Sequence, residues 1–299
     1  MPADEPGGVL PLTSIPDYSQ APVVVFWEVT RACALACRHC RADAQPRRHP
    51  LELETQECFA VVDQLTRFHP APILVVTGGD PLMRRDVFDL VAYAVSQGLR
   101  VSLSPSVTAL LTARALARAY QAGVRHISLS LDGADAGVHD GFRGVKGSFE
   151  RTLGAIRAAQ DAGLSVQVNT TASLWNAAHL EGIAALLARS GASLWDLFFL
   201  VPTGRARAQE MLSAQEHEAV FHWLYDLSGR APFRIRTTLG QPFRRVVLQR
   251  AQREGAQPPP LPATNDGKGI CFISHIGEIW PSGFLPLACG NVRADPLVE

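Results

Sequence analysis

The chain has 299 residues, 47% of them hydrophobic, and its 28 Lys and Arg balance its 28 Asp and Glu. That length holds one large domain, or one with a small appendage, and is ample for a sizeable core. Zero formal net charge gives no electrostatic case for nucleic acid or an acidic membrane surface, and no apolar run approaches the length of a bilayer span. Residues 1–20 are rich in Pro, Gly, Ser and Asp and read as a loose lead-in. The first eight residues lack the basic and apolar regions of a secretion signal. Six cysteines, three of them clustered, suit a reducing compartment better than a disulfide scaffold. The expectation is a soluble, cytoplasmic protein of enzyme size with no nucleic-acid or membrane partner.

Residues 23–27 form the first apolar run and read as a buried strand. They lead straight into Glu28-Val-Thr-Arg-Ala-Cys-Ala-Leu-Ala-Cys-Arg-His-Cys40. Cys33, Cys37 and Cys40 fall within eight residues, so their thiolates lie on one loop and can converge on one metal centre. An iron–sulfur cubane commonly takes four cysteines. Three local ligands leave one iron open, and an open position is what a catalytic metal site keeps. A structural zinc usually shows Cys pairs and a second pair downstream, although His39 or His49 could supply its fourth ligand. Disulfides fit a chain without a secretion signal poorly, and merely buried thiols do not explain the crowding. This C-x3-C-x2-C run resembles the signature of the radical S-adenosylmethionine (SAM) superfamily. The resemblance implies a [4Fe-4S] cluster on Cys33, Cys37 and Cys40, with the amino and carboxylate groups of SAM on the open iron.

Residues 53–68 carry Phe59, Val62 and Leu65 at helical spacing. The helix ends before His69-Pro70-Ala71-Pro72, because a residue ahead of proline is biased out of the helical region. Short apolar, β-branched runs then recur at 73–76, 101–103, 127–131, 166–168 and 197–201. Amphipathic stretches at 87–96, 112–121, 149–162 and 177–189 separate them. Gly98, Gly123, Gly163 and Gly191 each stand between a helix and the next strand, where a left-handed cap residue is needed. The last helix, 213–227, opens on a Ser213-x-x-Glu216 capping box. Six strand–helix units in alternation predict an α/β fold, a parallel sheet with helices outside it. Six are fewer than a closed eightfold barrel needs. They match the partial (β/α)6 barrel that the resemblance implies, with the core at residues 21–231.

Barrels of this kind carry their chemistry at the C-terminal ends of the strands, and the cysteine loop follows strand one at that end. After strand two comes Thr77-Gly78-Gly79-Asp80-Pro81. Paired glycines let a backbone approach a ligand closely, and a carboxylate beside them can accept from an ammonium group. The family segment here is commonly Gly-Gly-Glu-Pro and grips the amino group of SAM. The resemblance carries that role to Gly78, Gly79 and Asp80, whose side chain is one methylene shorter. Ser104-Pro105-Ser106 after strand three is a polar tip, either a SAM contact or an ordinary turn.

Ser128-Leu-Ser-Leu-Asp-Gly133 and His139-Asp-Gly-Phe-Arg-Gly144 resemble the family's fourth-strand segment. That implies Ser130 at the ribose or carboxylate of SAM and Arg143 at the carboxylate, with Asp132 as a further candidate. Arginine suits a carboxylate because its planar fork donates two parallel hydrogen bonds. Asn169, ending strand five, is positioned to hydrogen-bond the ribose, and the backbone of residues 202–205 to touch the adenine. His126, His179 and His217 sit in helical or strand-entry contexts and read as structural or exposed.

From Pro232 the rhythm breaks. Residues 251–265 are polar and proline-rich and read as a linker, and two apolar runs around His275-Ile276-Gly277 predict a hairpin. Residues 269–293 resemble the opening of the SPASM or twitch extension, found in radical SAM enzymes that mature peptides or complete haem-type cofactors. Residues 232–299 are therefore assigned to such an extension. Extensions of this type often bind auxiliary clusters through many cysteines, and only Cys271 and Cys289 are present. The chain also stops where relatives continue, as expected of a fragment or of a chain that has lost the auxiliary site. Cys58, in the first helix, reads as a small buried or surface residue.

The resemblance implies the chemistry. A reduced cluster passes one electron to the SAM sulfonium, the C5′–S bond breaks, and a 5′-deoxyadenosyl radical abstracts hydrogen from a substrate inside the barrel. The protein binds, orients and excludes water. A reductant such as flavodoxin or ferredoxin is implied as well. A peptide or a cofactor precursor is the leading substrate expectation, with a haem-pathway tetrapyrrole as the alternative. From another class, the alternative is a non-catalytic assembly protein that holds a cluster or zinc.

Overall fold

The computed structural model describes residues 17–258 and 264–298. Most of the lead-in, and Pro259 and Pro260 of the proline run, lie outside the described residues. The chain runs β1 (Val24–Glu28), α1 (Thr55–Leu65), β2 (Ile73–Thr77), α2 (Val87–Ser96), β3 (Arg100–Leu103), α3 (Ala113–Gln121) and β4 (His126–Ser130). It continues α4 (Ala136–Arg143), α5 (Ser148–Asp161), β5 (Ser165–Ala172), α6 (Leu180–Ser190), β6 (Leu194–Phe199), α7 (Ala214–Ser228), β7 (Arg234–Thr238) and α8 (Phe243–Arg253). Four short strands close it: β8 (Asn265–Asp266), β9 (Gly269–Ile273), β10 (Glu278–Trp280) and β11 (Gly290–Asn291).

Strands β1 to β7 pair in chain order and all run parallel. The sheet is open, with β7 and β11 at its edges, as a partial barrel requires. Gly98, Gly123, Gly163 and Gly191 all take positive φ, between 73° and 101°, where a left-handed cap was expected. The Ser213/Glu216 capping box is formed in both directions.

Four features depart from the expected six units, the first being α4, an extra helix between β4 and α5. β7 is a seventh parallel strand beside β6, and its Arg234 and Arg236 hide the apolar signal. α8 follows it with Arg at 244, 245, 250 and 253, and its last residues fall in the stretch 251–265 expected as a linker. β6 starts earlier than expected because Asp196 interrupts its apolar run. The sheet therefore continues across the expected boundary at 231/232. The predicted hairpin is β9–β10, turning at Gly277, and β9 joins the main sheet by pairing parallel with β1.

Alternation along the strands separates two faces. Leu74, Val76, Ile127, Leu129, Val168 and Leu197 are fully buried in the layer beneath the helices. Each contributes roughly 1.5–3 kcal/mol through burial. Thr77, Ser130, Asn169 and Thr171 turn to the other face and line a cavity. Among the described residues, no helix is long and apolar enough to cross a membrane.

Two glycines make the backbone argument testable. Gly98 has φ +88°, and a Cβ there would meet nothing within 4 Å. Gly98→Ala is thus expected to lower stability by about 1 kcal/mol through backbone strain alone. Gly154 lies inside α5, also with open space around it, so Gly154→Ala is expected to raise stability by up to about 1 kcal/mol. Urea unfolding should shift the two midpoints in opposite directions.

Candidate functional site

The cavity lies at the C-terminal ends of the strands. It is lined by Cys33, Cys37 and Cys40 together with Gly78, Gly79, Ser130, Arg143 and Asn169. Two carboxylates singled out for the site stay outside this lining, Asp132 beside Arg143 and, after β2, Asp80. The Asp80 carboxylate is fully buried, accepting from the Thr108 hydroxyl at 2.8 Å and from the Leu82 amide at 3.1 Å. Burial pushes this carboxyl up, against those hydrogen bonds. The shorter side chain caps the 3₁₀ turn Pro81–Met83.

The cysteine loop has almost no regular structure of its own, so neighbouring segments fix it. It closes on itself through the Cys33 amide to the Gln45 carbonyl (2.8 Å) and the Gln45 amide to the Arg31 carbonyl (2.9 Å). The Gly79 and Asp80 amides donate to the Thr30 and Ala32 carbonyls at 2.8 and 2.7 Å. A Cβ on Gly79 would stand 2.6 Å from the Arg31 carbonyl oxygen, which is why glycine is required there. From the far side, the Arg205 amide donates to the Cys40 carbonyl (3.0 Å), while its Nε and Nη1 donate to the Cys37 and Ala44 carbonyls, both at 2.9 Å. Arg205, in the segment expected to touch the adenine, thus braces the cysteine loop.

Each cysteine sulfur meets a donor. The Leu35 amide lies 3.4 Å from Cys33 Sγ, the Ala44 amide 3.4 Å from Cys40 Sγ and Arg143 Nη1 3.7 Å from Cys37 Sγ, while the Ser106 hydroxyl, also 3.4 Å from Cys33 Sγ, gives its hydrogen to the Gly79 carbonyl at 2.8 Å. Burial pushes the Cys33 and Cys37 thiols up; the Leu35 amide opposes it at Cys33, and Arg143 opposes it at Cys37. Donors already aimed at sulfur are what a cluster-bound thiolate needs to disperse its charge. The donor set fits a [4Fe-4S] cluster.

Arg143 is oriented by Asp132, an ion pair between two nearly buried side chains. Asp132 also accepts from the Thr171 amide at 2.7 Å. Burial works against the Arg143 charge, but Asp132 and then Cys37 outweigh it and raise its pKa further. Asp132, a candidate ligand contact in the sequence, is here a partner of Arg143. His139 behind it is neutral: burial and the Arg143 charge push it down to about 4, and its Nδ1 accepts from the Asp132 amide. His39, weighed as a zinc ligand, stacks on Phe142 at 4.3 Å.

Sequence reasoning missed a second polar group, joining the loop to the C-terminal region. Glu28 is 2% exposed, takes Arg41 Nη2 at 2.7 Å and meets His275 Nδ1 at 2.9 Å. Arg41 also donates to the Gly283 carbonyl at 3.2 Å and lies over the Phe272 ring at 4.7 Å. Burial alone would raise the Glu28 carboxyl, but Arg41 and His275 hold it below the usual range. The signal was present as a carboxylate ending an apolar strand. Cys58 is fully buried and pushed up to about 12 by burial. Cys271 is half-buried and raised to about 11 by burial and by nearby Cys289, which is exposed.

Residues 27–187, more than half of the chain, match the family model described as the radical SAM superfamily. The chain belongs to the radical SAM superfamily. It is 41% identical over 296 residues to a protein named AdoMet-dependent heme synthase from Nitratidesulfovibrio vulgaris, covering 96% of this chain and 80% of that one. Mycofactocin maturase MftC of Mycolicibacterium smegmatis is 31% identical over 290 residues, covering 92% of this chain and 68% of that protein. The crystal structure of Streptococcus suis SuiB bound to S-adenosylmethionine superposes with a TM-score of 0.75 at 12% identity, over 93% of this chain and 65% of that chain. This chain is accordingly a radical SAM enzyme that uses a [4Fe-4S] cluster and SAM, which removes the non-catalytic alternative.

The Glu28 group predicts a pH signature. Glu28→Gln leaves Arg41 without its buried anion and is expected to cost about 3 kcal/mol at neutral pH. Because the folded-state carboxyl is depressed, the Glu28 contribution is complete above about pH 4.3. It fades as pH falls through the lower folded value. Thermal melts of wild type and Glu28→Gln should therefore differ most above about pH 4.3 and draw together as pH falls below it.

Proposed function

We propose that Cys33, Cys37 and Cys40 ligate the cluster, that SAM occupies the cavity against Gly78, Gly79, Ser130 and Asn169, and that the enzyme completes a haem-type cofactor. The observation that carries the substrate class is the 41% identity to AdoMet-dependent heme synthase over 96% of this chain.

When bound, the cluster and SAM supply one-electron cleavage to a 5′-deoxyadenosyl radical. The chain's own residues do the rest. The Leu35 and Ala44 amides and Arg143 stabilise thiolate charge. Asp80 is a positioning residue, holding the Gly78–Gly79 turn through Thr108 and Leu82. Arg143, engaged by Asp132 and Cys37, serves the carboxylate of SAM from the same position. A low-potential one-electron carrier such as flavodoxin or ferredoxin supplies the electron. A peptide substrate is the second reading, favoured by the 31% identity to mycofactocin maturase MftC.

The test is anaerobic reconstitution with iron and sulfide, followed by dithionite, SAM and iron coproporphyrin III, a more highly carboxylated iron porphyrin than haem. Haem is read by mass and 5′-deoxyadenosine by chromatography, with Cys37→Ala as background. Expected are both products in wild type and neither in Cys37→Ala. Turnover of SAM with the porphyrin unchanged would shift the reading to a peptide, and a Cys37→Ala variant that keeps full cluster content would overturn the ligand assignment. Gly79→Ala, which collides with the loop backbone, should lose most of its cluster while remaining folded by circular dichroism.

A further inference from the structure

A row of polar residues crosses the cavity face of the sheet in register. Ser130 stands opposite Asn169, Asn169 opposite Asp196, and Asp196 opposite Arg236. Gln167, two residues before Asn169, points to the same face of β5. Asp196 is fully buried and takes Arg236 Nε at 2.8 Å and Nη2 at 2.6 Å, and the Thr238 hydroxyl at 3.0 Å. The same Nη2 donates to Gln167 Oε1 at 3.2 Å, and Gln167 Nε2 donates to Asn169 Oδ1 at 2.6 Å.

The direction of this chain of bonds is forced. A guanidinium has donors only, so the Gln167 amide must turn its oxygen to Arg236. His126 Nε2, at 3.3 Å, meets the same oxygen. The Gln167 nitrogen then faces Asn169 and must donate, which turns the Asn169 oxygen away from the cavity. What remains is the Asn169 NH2, which has no protein partner among the described residues, on a side chain that lines the cavity. A buried carboxylate such as Asp196 is costly unless it is paired. Its pairing with Arg236, which does not line the cavity, is explained by the orientation it imposes two side chains away.

We infer that Asp196, Arg236 and Gln167 are positioning residues that lock Asn169 as a hydrogen-bond donor, so that the bound cofactor presents an acceptor there, a ribose hydroxyl or carboxylate oxygen. This rests on the reading that SAM occupies this cavity. The lock makes the polarity of the site, and not merely its shape, a property of strands β6 and β7.

Gln167→Glu tests it. The variant keeps the size and the bond to Arg236 but cannot donate, so Asn169 turns its oxygen into the cavity. SAM binding to the anaerobically reconstituted, unreduced holoenzyme is measured by equilibrium dialysis for wild type, Asn169→Ala, Gln167→Glu and the double variant. Each single change should raise the Kd roughly tenfold. The double variant should bind no more weakly than Asn169→Ala, because Gln167 acts only through Asn169. A charge effect of the new carboxylate would persist without Asn169 and make the losses add, which would overturn the lock. So would an unchanged Kd in Gln167→Glu when Asn169→Ala is weakened, leaving the SAM site itself standing. An unchanged Kd in Asn169→Ala would overturn the site reading and the lock with it. Gln167→Met, which frees Asn169 without adding charge, gives a smaller, equally non-additive loss and serves if Gln167→Glu does not fold; additive losses there overturn the lock as well.

Discussion

The cysteine loop is gripped by main-chain hydrogen bonds from segments that follow β2 and β6, and the rest of the site depends on that grip. Ordering the backbone of an irregular loop costs about 1–2 kcal/mol per residue, while one net hydrogen bond returns only about 0.5–1.5 kcal/mol. No single contact holds Cys33, Cys37 and Cys40 on one cavity wall. Convergence does: Gly79 and Asp80 on one flank, Arg205 on the other, and the Arg38 amide on the Phe142 carbonyl at 3.1 Å between them. The Gly-Gly pair is thus explained by closeness of backbone to backbone before any ligand is considered. Cluster binding would add its own free energy to the same folded arrangement.

Charge beside the cysteines is managed by pairing. Arg143 faces Cys37 but is steadied by Asp132, and Arg41 follows Cys40 but is steadied by Glu28. Both carboxylates are almost wholly buried, so each is costly alone and tolerable only with its arginine. The second pair also draws in His275 and the Gly283 carbonyl from the C-terminal region. That region therefore supports the cysteine loop directly, through β9 on β1 and through His275 on Glu28, independently of any role for Cys271 or Cys289.

What could be read from the sequence was local. The cysteine triplet, the four glycine caps and the Ser213/Glu216 box each lie within a few residues, where spacing alone determines geometry. Five of the six expected strands, legible as short apolar runs, and most helices lie where these local signals put them. β7 and α8 escaped because arginines on the inner face and the solvent side mask an apolar pattern that an edge strand needs least. The pairs that orient the site were equally hidden: Glu28 with His275, Arg143 with Asp132 and Cys37, Arg205 with the cysteine loop. Each joins residues brought together only by the sheet, and no spacing rule reports them. Asp80 illustrates the limit from the other side. Its motif reads as a ligand contact, while the carboxylate is held by Thr108 outside the cavity lining.

The alternation that builds the fold also determines where polarity can act. Strands with one apolar face must put their other residues inside the barrel, and in this chain those are Thr77, Ser102, Ser128, Ser130, Gln167, Asn169, Thr171 and Asp196. A polar lumen in an incomplete barrel needs its hydrogen bonds closed at the open side, and β7 supplies that closure with Arg236 and Thr238. Removing β7 would leave Asp196 without its cation and Gln167 free to turn. The seventh strand, which a six-unit barrel does not require for its topology, is required here because the inner face it covers carries a buried charge.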